Sequence, residues 1–257
     1  MMSNYFLRNQ TNPEWVANIL RDELLIDENS PVDLDYVLNE LNIRIRYQEI
    51  KEGVSGACIS KGLNKLIVIN PNINNEGRKR FTISHEIGHL LLHHGSRYCL
   101  EQNLNLWINS NDKEQEANLF AAGLLLPRAY LVDVLKKKDI TVNLIESLAL
   151  KYNTSLLATA IRLVKLCDDP VALFYHKDNN ILWSVKSLEC QFQTENSVVS
   201  PMSIASNIDK TNNFATGYVD ISAWYSDAPD NAKCFEETIY FTNLESSLTI
   251  ARIEEEW

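Results

Sequence analysis

Phe81-Thr82-Ile83-Ser84-His85-Glu86-Ile87-Gly88-His89-Leu90-Leu91-Leu92-His93-His94-Gly95 is the stretch on which the reading of this chain turns. Phe81, Ile83, Ile87, Leu90, Leu91 and Leu92 recur close to the helical period, so the stretch is expected to be a helix with one apolar stripe. Gly95 stands where a helix-ending glycine belongs. His93 and His94 read as end-of-helix residues favoured by the helix dipole.

His85 and His89 are four residues apart, which puts their rings one above the other on a single helix face. Two imidazoles so placed can converge on one zinc ion at about 2.0–2.1 Å each. Glu86 is rotated around the helix from His85, too far to be the natural third ligand and well placed to polarise a water. This is the H-E-x-x-H arrangement of zinc hydrolases. A catalytic site needs a third protein ligand. An extended motif with a histidine after a glycine is excluded, because Leu92 and Gly95 occupy those two places. The next source is Asp112 to Pro127, an expected second helix with an acidic start, an apolar body and a proline past its end. Glu116 lies at its polar-to-apolar boundary. On spacing alone, Asp112, Glu114 and Glu116 serve equally well as dipole-stabilising residues of the first turn.

The two motifs together, R-x-R-F-T-I-S-H-E-I-G-H-L-L-L-H and E-x-E-A-N-L-F-A-A-G-L-L-L-P, resemble the ImmA/IrrE family of metallopeptidases over about Leu66 to Pro127. The resemblance implies a zincin-like α+β fold. It implies His85, His89 and Glu116 as metal ligands and Glu86 as general base. It also implies cleavage of a helix-turn-helix repressor, which would release the genes of a mobile element or a stress response. Zn²⁺ is the expected metal, and Mn²⁺ or Fe²⁺ suit the same ligands.

The 257 residues suffice for a real core and more than one unit. No run approaches 18 unbroken apolar residues, and the start lacks a basic region followed by an apolar run. No membrane association is therefore expected. Cys58, Cys99, Cys167, Cys190 and Cys234 are odd in number and widely spaced, which suits free thiols in a reducing cytoplasm. Residues 168–257 carry 15 Asp/Glu against 5 Lys/Arg, which accounts for the whole net charge of −10 and argues against phosphate binding there.

Three parts are expected: a metallopeptidase domain at 1–127, a helical segment at 128–167 and a strand-rich domain at 168–257. In the first, Asn12-Pro13 and Ser30-Pro31 each announce a helix. Ile43 to Ile50 alternates as a strand, and Gly56 to Asn70 reads as a hairpin, a candidate edge for an extended substrate. Residues 96–111 are expected to be a long loop, a candidate lid. Val142 to Leu163 resembles a helix-turn-helix with its turn at Asn153-Thr154-Ser155. DNA contact is one reading of it and packing behind the protease the favoured one, since Arg162 is the sole basic residue of the second helix up to Val164. Beyond Asp168-Asp169-Pro170, hairpins are expected around Lys177 to Asn180 and between Glu237 and Ile253. Longer relatives carry a GAF-like sensor domain here, which gives a sensing role by resemblance, although the segment shows no ligand motif. His176 is expected to be a core or surface residue.

Overall fold

The computed structural model describes residues 12–100, 112–194, 197–209, 211–229 and 232–253. These residues form seven α-helices and two β-sheets, an α+β architecture. The chain divides into two compact units, Met1–Tyr130 with Leu148–Thr159, and Leu131–Ser147 with Ala160–Trp257.

In the first unit α1 (Pro13–Glu23) begins as its sequence signals: the Asn12 side chain accepts from the backbone N–H groups of Glu14 and Trp15. The next helix, α2 (Leu34–Glu40), starts later than Ser30-Pro31. Asp33 caps it by accepting from Tyr36 N, and a carboxylate at that position outcompetes the weaker Ser-Pro signal. Strands β1 (Ile43–Tyr47), β2 (Val54–Lys61), β3 (Asn64–Ile69) and β4 (Arg97–Leu100) form a sheet of order β1-β3-β2-β4. The β2/β3 hairpin is antiparallel as expected, with Gly62 left-handed in its turn. Its outer edge is not free, however. β4 pairs with β2, Gly56 opposite Cys99 and Cys58 opposite Arg97. Residues 97–100 of the expected loop are thus strand, and 101–111 lie outside the described residues.

Against this sheet packs α3 (Glu76–Leu91), and against α3 packs α4 (Asp112–Leu125). Gly88 allows the two helices to meet. A Cβ there would stand 3.0 Å from the Phe120 ring and 3.3 Å from Ala117 Cα, tighter than ordinary contact. The far end of α4 is held by the buried Arg21, whose guanidinium donates to Leu124 O at 2.6 Å. That bond satisfies one of the carbonyls every helix leaves unpaired at its C-terminus.

Helices α5 (Arg128–Leu135), α6 (Val142–Tyr152) and α7 (Leu156–Leu166) follow, with the turn expected between α6 and α7 made by left-handed Asn153. Arg162 is 2 % exposed, so the sole basic residue of the would-be recognition helix before Lys165 is withdrawn from solvent.

The second unit is organised by an antiparallel sheet of order β6-β5-β9-β8-β7, from β5 (Val171–Lys177), β6 (Asn180–Lys186), β7 (Phe214–Asp220), β8 (Lys233–Phe241) and β9 (Ser246–Ile253). Asp178 and Asn179, both left-handed, close the first hairpin as their types predict. Phe174, Trp224 and Tyr225 fill its core. Inside it the fully buried Glu236 accepts from Ser203 Oγ, Ala205 N and Trp224 Nε1 at 2.8–3.0 Å, so its charge is solvated by fixed donors. Glu237 accepts from Val142 N, the first residue of α6, and from Arg252 Nη1. His176 is buried and shares a 3.0 Å hydrogen bond with Thr249 Oγ1, a core residue as read from sequence.

Candidate metal centre

The H-E-x-x-H segment lies in the buried half of α3, a helix opened by Asn75, whose side chain accepts from Arg78 N. The helix stops at Leu91, earlier than Gly95. His93 takes the left-handed conformation (φ 58°), and His94 N donates back to His89 O at 3.0 Å. This six-to-one closure is the Schellman geometry with a histidine in the usual glycine place. It folds the buried His94 ring against His89.

His85, Glu86 and His89 are all fully buried. The Nε2 atoms of His85 and His89 are 3.0 Å apart. Two nitrogens bound to one tetrahedral ion at standard lengths lie about 3.3 Å apart, so little adjustment is needed to hold one. The carboxylate facing them is Glu114, 3.2 Å from His85 Nε2 through Oε2 and 3.4 Å from His89 Nε2 through Oε1. Glu116, assigned to this place by resemblance, is elsewhere. Its carboxylate, 42 % exposed, pairs with His94 Nε2 at 2.7 Å. The physical reason is helical phase. Residues two positions apart on a helix are about 200° apart around its axis, so Glu114 and Glu116 cannot both face α3's histidines.

Each histidine is oriented through its other nitrogen. His85 Nδ1 is 2.8 Å from Asn118 Oδ1, and donating there leaves the Nε2 lone pair for a cation. His89 Nδ1 is 2.8 Å from His94 Nδ1, and His94 Nε2 donates in turn to Glu116. The Glu116–His94–His89 chain therefore sets the His89 tautomer, with its Nε2 lone pair also free. Burial lowers the pKa of His89 to about 4, which keeps the ring neutral and able to ligate. Burial disfavours the Glu114 carboxylate, but its close contacts with the His85 and His89 rings outweigh that and hold the group well below the usual carboxylate range.

Glu86 has a different environment. Neither of its oxygens has a hydrogen-bond partner of ordinary geometry, and burial raises its pKa to about 7 despite the neighbouring His85. Gly56 of β2 makes room for it. A Cβ there would stand 2.7 Å from Glu86 Oε1. The thiols of Cys99 and Cys58 stand beside the same carboxylate. Burial and the Glu86 charge push both upward, Cys58 to about 12. The Nε2 atoms of two buried histidines and the Glu114 carboxylate converge beside the Glu86 carboxyl of raised pKa. That donor set fits a divalent ion with an acid–base group next to it.

The IrrE N-terminal-like domain, a peptidase family, matches this chain over residues 38–164. That segment is similar to the family. The matched segment includes both helices that carry the candidate site. An uncharacterized immunity region protein 2 of Bacillus phage phi105 is 41 % identical over 104 residues, 40 % of this chain. The match spans 63 % of the phage protein's length. A Mycobacterium tuberculosis transcriptional regulator shares the fold, with a TM-score of 0.61 at 10 % identity, covering 95 % of this chain and 77 % of that one.

Sequence reasoning brings His85, His89 and Glu86 together as the structure does. It missed Glu114 and His94. Glu114 carries a signal in hindsight, since it is four residues before Asn118 and so shares the face that reaches His85. His94 carries none, because its position depends on how the helix ends.

Proposed function

We propose that this chain is a metal-dependent endopeptidase that cleaves a helix-turn-helix transcriptional repressor. The observation that carries the reading is the convergence of His85, His89 and Glu114 with the unpaired Glu86 beside them. A divalent ion there, zinc first and manganese or iron as substitutes, would supply an acidified water with pKa near about 7 and a polarised carbonyl. His85, His89 and Glu114 would hold the ion, and Asn118 and His94 fix the two rings. Glu86 takes the proton of the attacking water and returns it to the leaving amine, a role its raised pKa suits. The full burial of His85, Glu86 and His89 excludes bulk water and strengthens these interactions.

Regulation is supported by the phage immunity-region relative, and five buried free cysteines suit a reducing cytoplasm. No single helix among the described residues is long and apolar enough to cross a membrane. The alternative, a DNA-binding regulator with a structural metal, loses support from the burial of Arg162. In the second unit a cavity of about 320 Å³, bordered by His176, Asp178, Tyr240 and Glu245, gives the sensing role somewhere to act.

The test is coexpression with the helix-turn-helix repressor encoded nearest to its gene. The wild type should yield a cut product. Glu86→Gln should retain the metal and yield none. Equal cutting by both, or none by the wild type across neighbouring repressors, would discard the reading.

A further inference from the structure

Three protein ligands leave a zinc site one open place for water, and four close it. The described residues offer a fourth here. A ligand atom from each of His85, His89, Cys99 and Glu114 lies within 4.8 Å of every other, and all four residues are buried. Cys99 comes from neither metal-bearing helix. It is carried by β4, whose alternation sends Arg97 and Cys99 to one face while Tyr98, 72 % exposed, points to solvent. Arg97 Nη1 donates to Glu114 Oε1 at 3.1 Å, so the strand that delivers the thiol also grips the third ligand. Cys58, the other thiol beside Glu86, is outside this group and is directed at Gly95 O, 3.6 Å away.

We propose that Cys99 is a fourth ligand of the metal in the resting protein, so that β4 acts as a strap closing the position a water must occupy. The inference rests on the metal reading of His85, His89 and Glu114. Binding replaces the S–H bond by a metal–sulfur bond, and the proton leaves to solvent, as a metal drives a coordinating thiol to do. Opening reverses this: water takes the metal–sulfur bond's place and the thiolate recovers a proton. For the water to enter, Cys99 must withdraw from the ion, and Arg97 moves with the same strand. A thiolate in the set also favours zinc over manganese, since soft sulfur ligands select zinc.

The test uses the full-length protein loaded with Co²⁺. Visible bands report tetrahedral cobalt, and a near-ultraviolet band reports a thiolate on it. The wild type should show both. Cys99→Ser should lose only the near-ultraviolet band, and Cys58→Ser should keep both. Acetohydroxamate, a chelating probe for the open position, should bleach the near-ultraviolet band of the wild type while cobalt stays bound. X-ray absorption of the wild-type zinc protein needs no variant and should find one sulfur at about 2.3 Å. Cobalt bound with no thiolate band, a band that survives Cys99→Ser, or no sulfur around the zinc would overturn the fourth ligand. A thiolate band that persists with hydroxamate bound would overturn the strap. Failure to bind cobalt or zinc at all would instead bring down the three-ligand reading beneath it.

Discussion

Glu114 and Glu116 differ by two positions and by surroundings. Glu114 faces the two Nε2 atoms, whereas Glu116 reaches His89 only through His94. Their substitutions should separate accordingly. Glu116→Gln should weaken zinc affinity by about 10–100-fold, the range for outer partners of a ligating histidine. Glu114→Gln should weaken it further, because a ligand itself is lost. Competition with a calibrated chelator measures both, and equal losses would contradict the assignment. Gly56→Ala addresses the base. The added Cβ would fall 2.7 Å from Glu86 Oε1, so Glu86 must shift. A misplacement of about an ångström costs on the order of 100-fold in rate, which a cleavage assay would register while zinc content stays stoichiometric.

At the level of elements, the geometry of the candidate site depends on two helices in close approach and on what holds them. Gly88→Val would press a branched side chain against Phe120 and Ala117. Overpacking of this kind costs about 1–3 kcal/mol, and urea unfolding should show it as a lowered midpoint at unchanged slope. Arg21→Met keeps most of the stem but abandons the Leu124 carbonyl, with an expected loss of about 1–3 kcal/mol. Both helices were legible in the sequence, because apolar spacing and caps are local. The same holds for the hairpin. The β4 strand was not legible, since four residues in a polar stretch carry no period and gain their pairing only from β2. Which carboxylate faces the two histidines was hidden for a similar reason. Residue spacing gives a helix its faces, but the partner helix decides which face is inward. His94 lay further out of reach, placed by a left-handed residue that sequence preference would have made glycine.

The whole molecule carries buried neutral histidines in both units, and this fixes the sign of their contribution to its acid response. His89 and His176 each have a pKa lowered by burial from 6.5 to about 4. The unfolded chain therefore binds protons that the folded chain refuses. Stability contributed by the neutral rings is present above pH 6.5 and lost as pH falls toward 4. Denaturation midpoints of the metal-free protein should drop across that window, and His176→Gln should remove part of the drop. A midpoint that rises on acidification would contradict the neutral, buried rings. Glu86 pulls the other way, since its carboxyl is raised from 4.5 to about 7 and its contribution is lost as pH rises through that range, so the measured slope is the balance of the two.

The close seat of α3 on α4 at Gly88 has one more consequence. The two helices that carry the rings and the carboxylate are held together by apolar packing, so their fold does not depend on a cation. A zinc finger collapses when stripped by a chelator, because there the ion is the core. This chain should instead keep its circular dichroism spectrum through stripping and reloading, gaining reactivity and little shape, as a finished vessel does when it is filled.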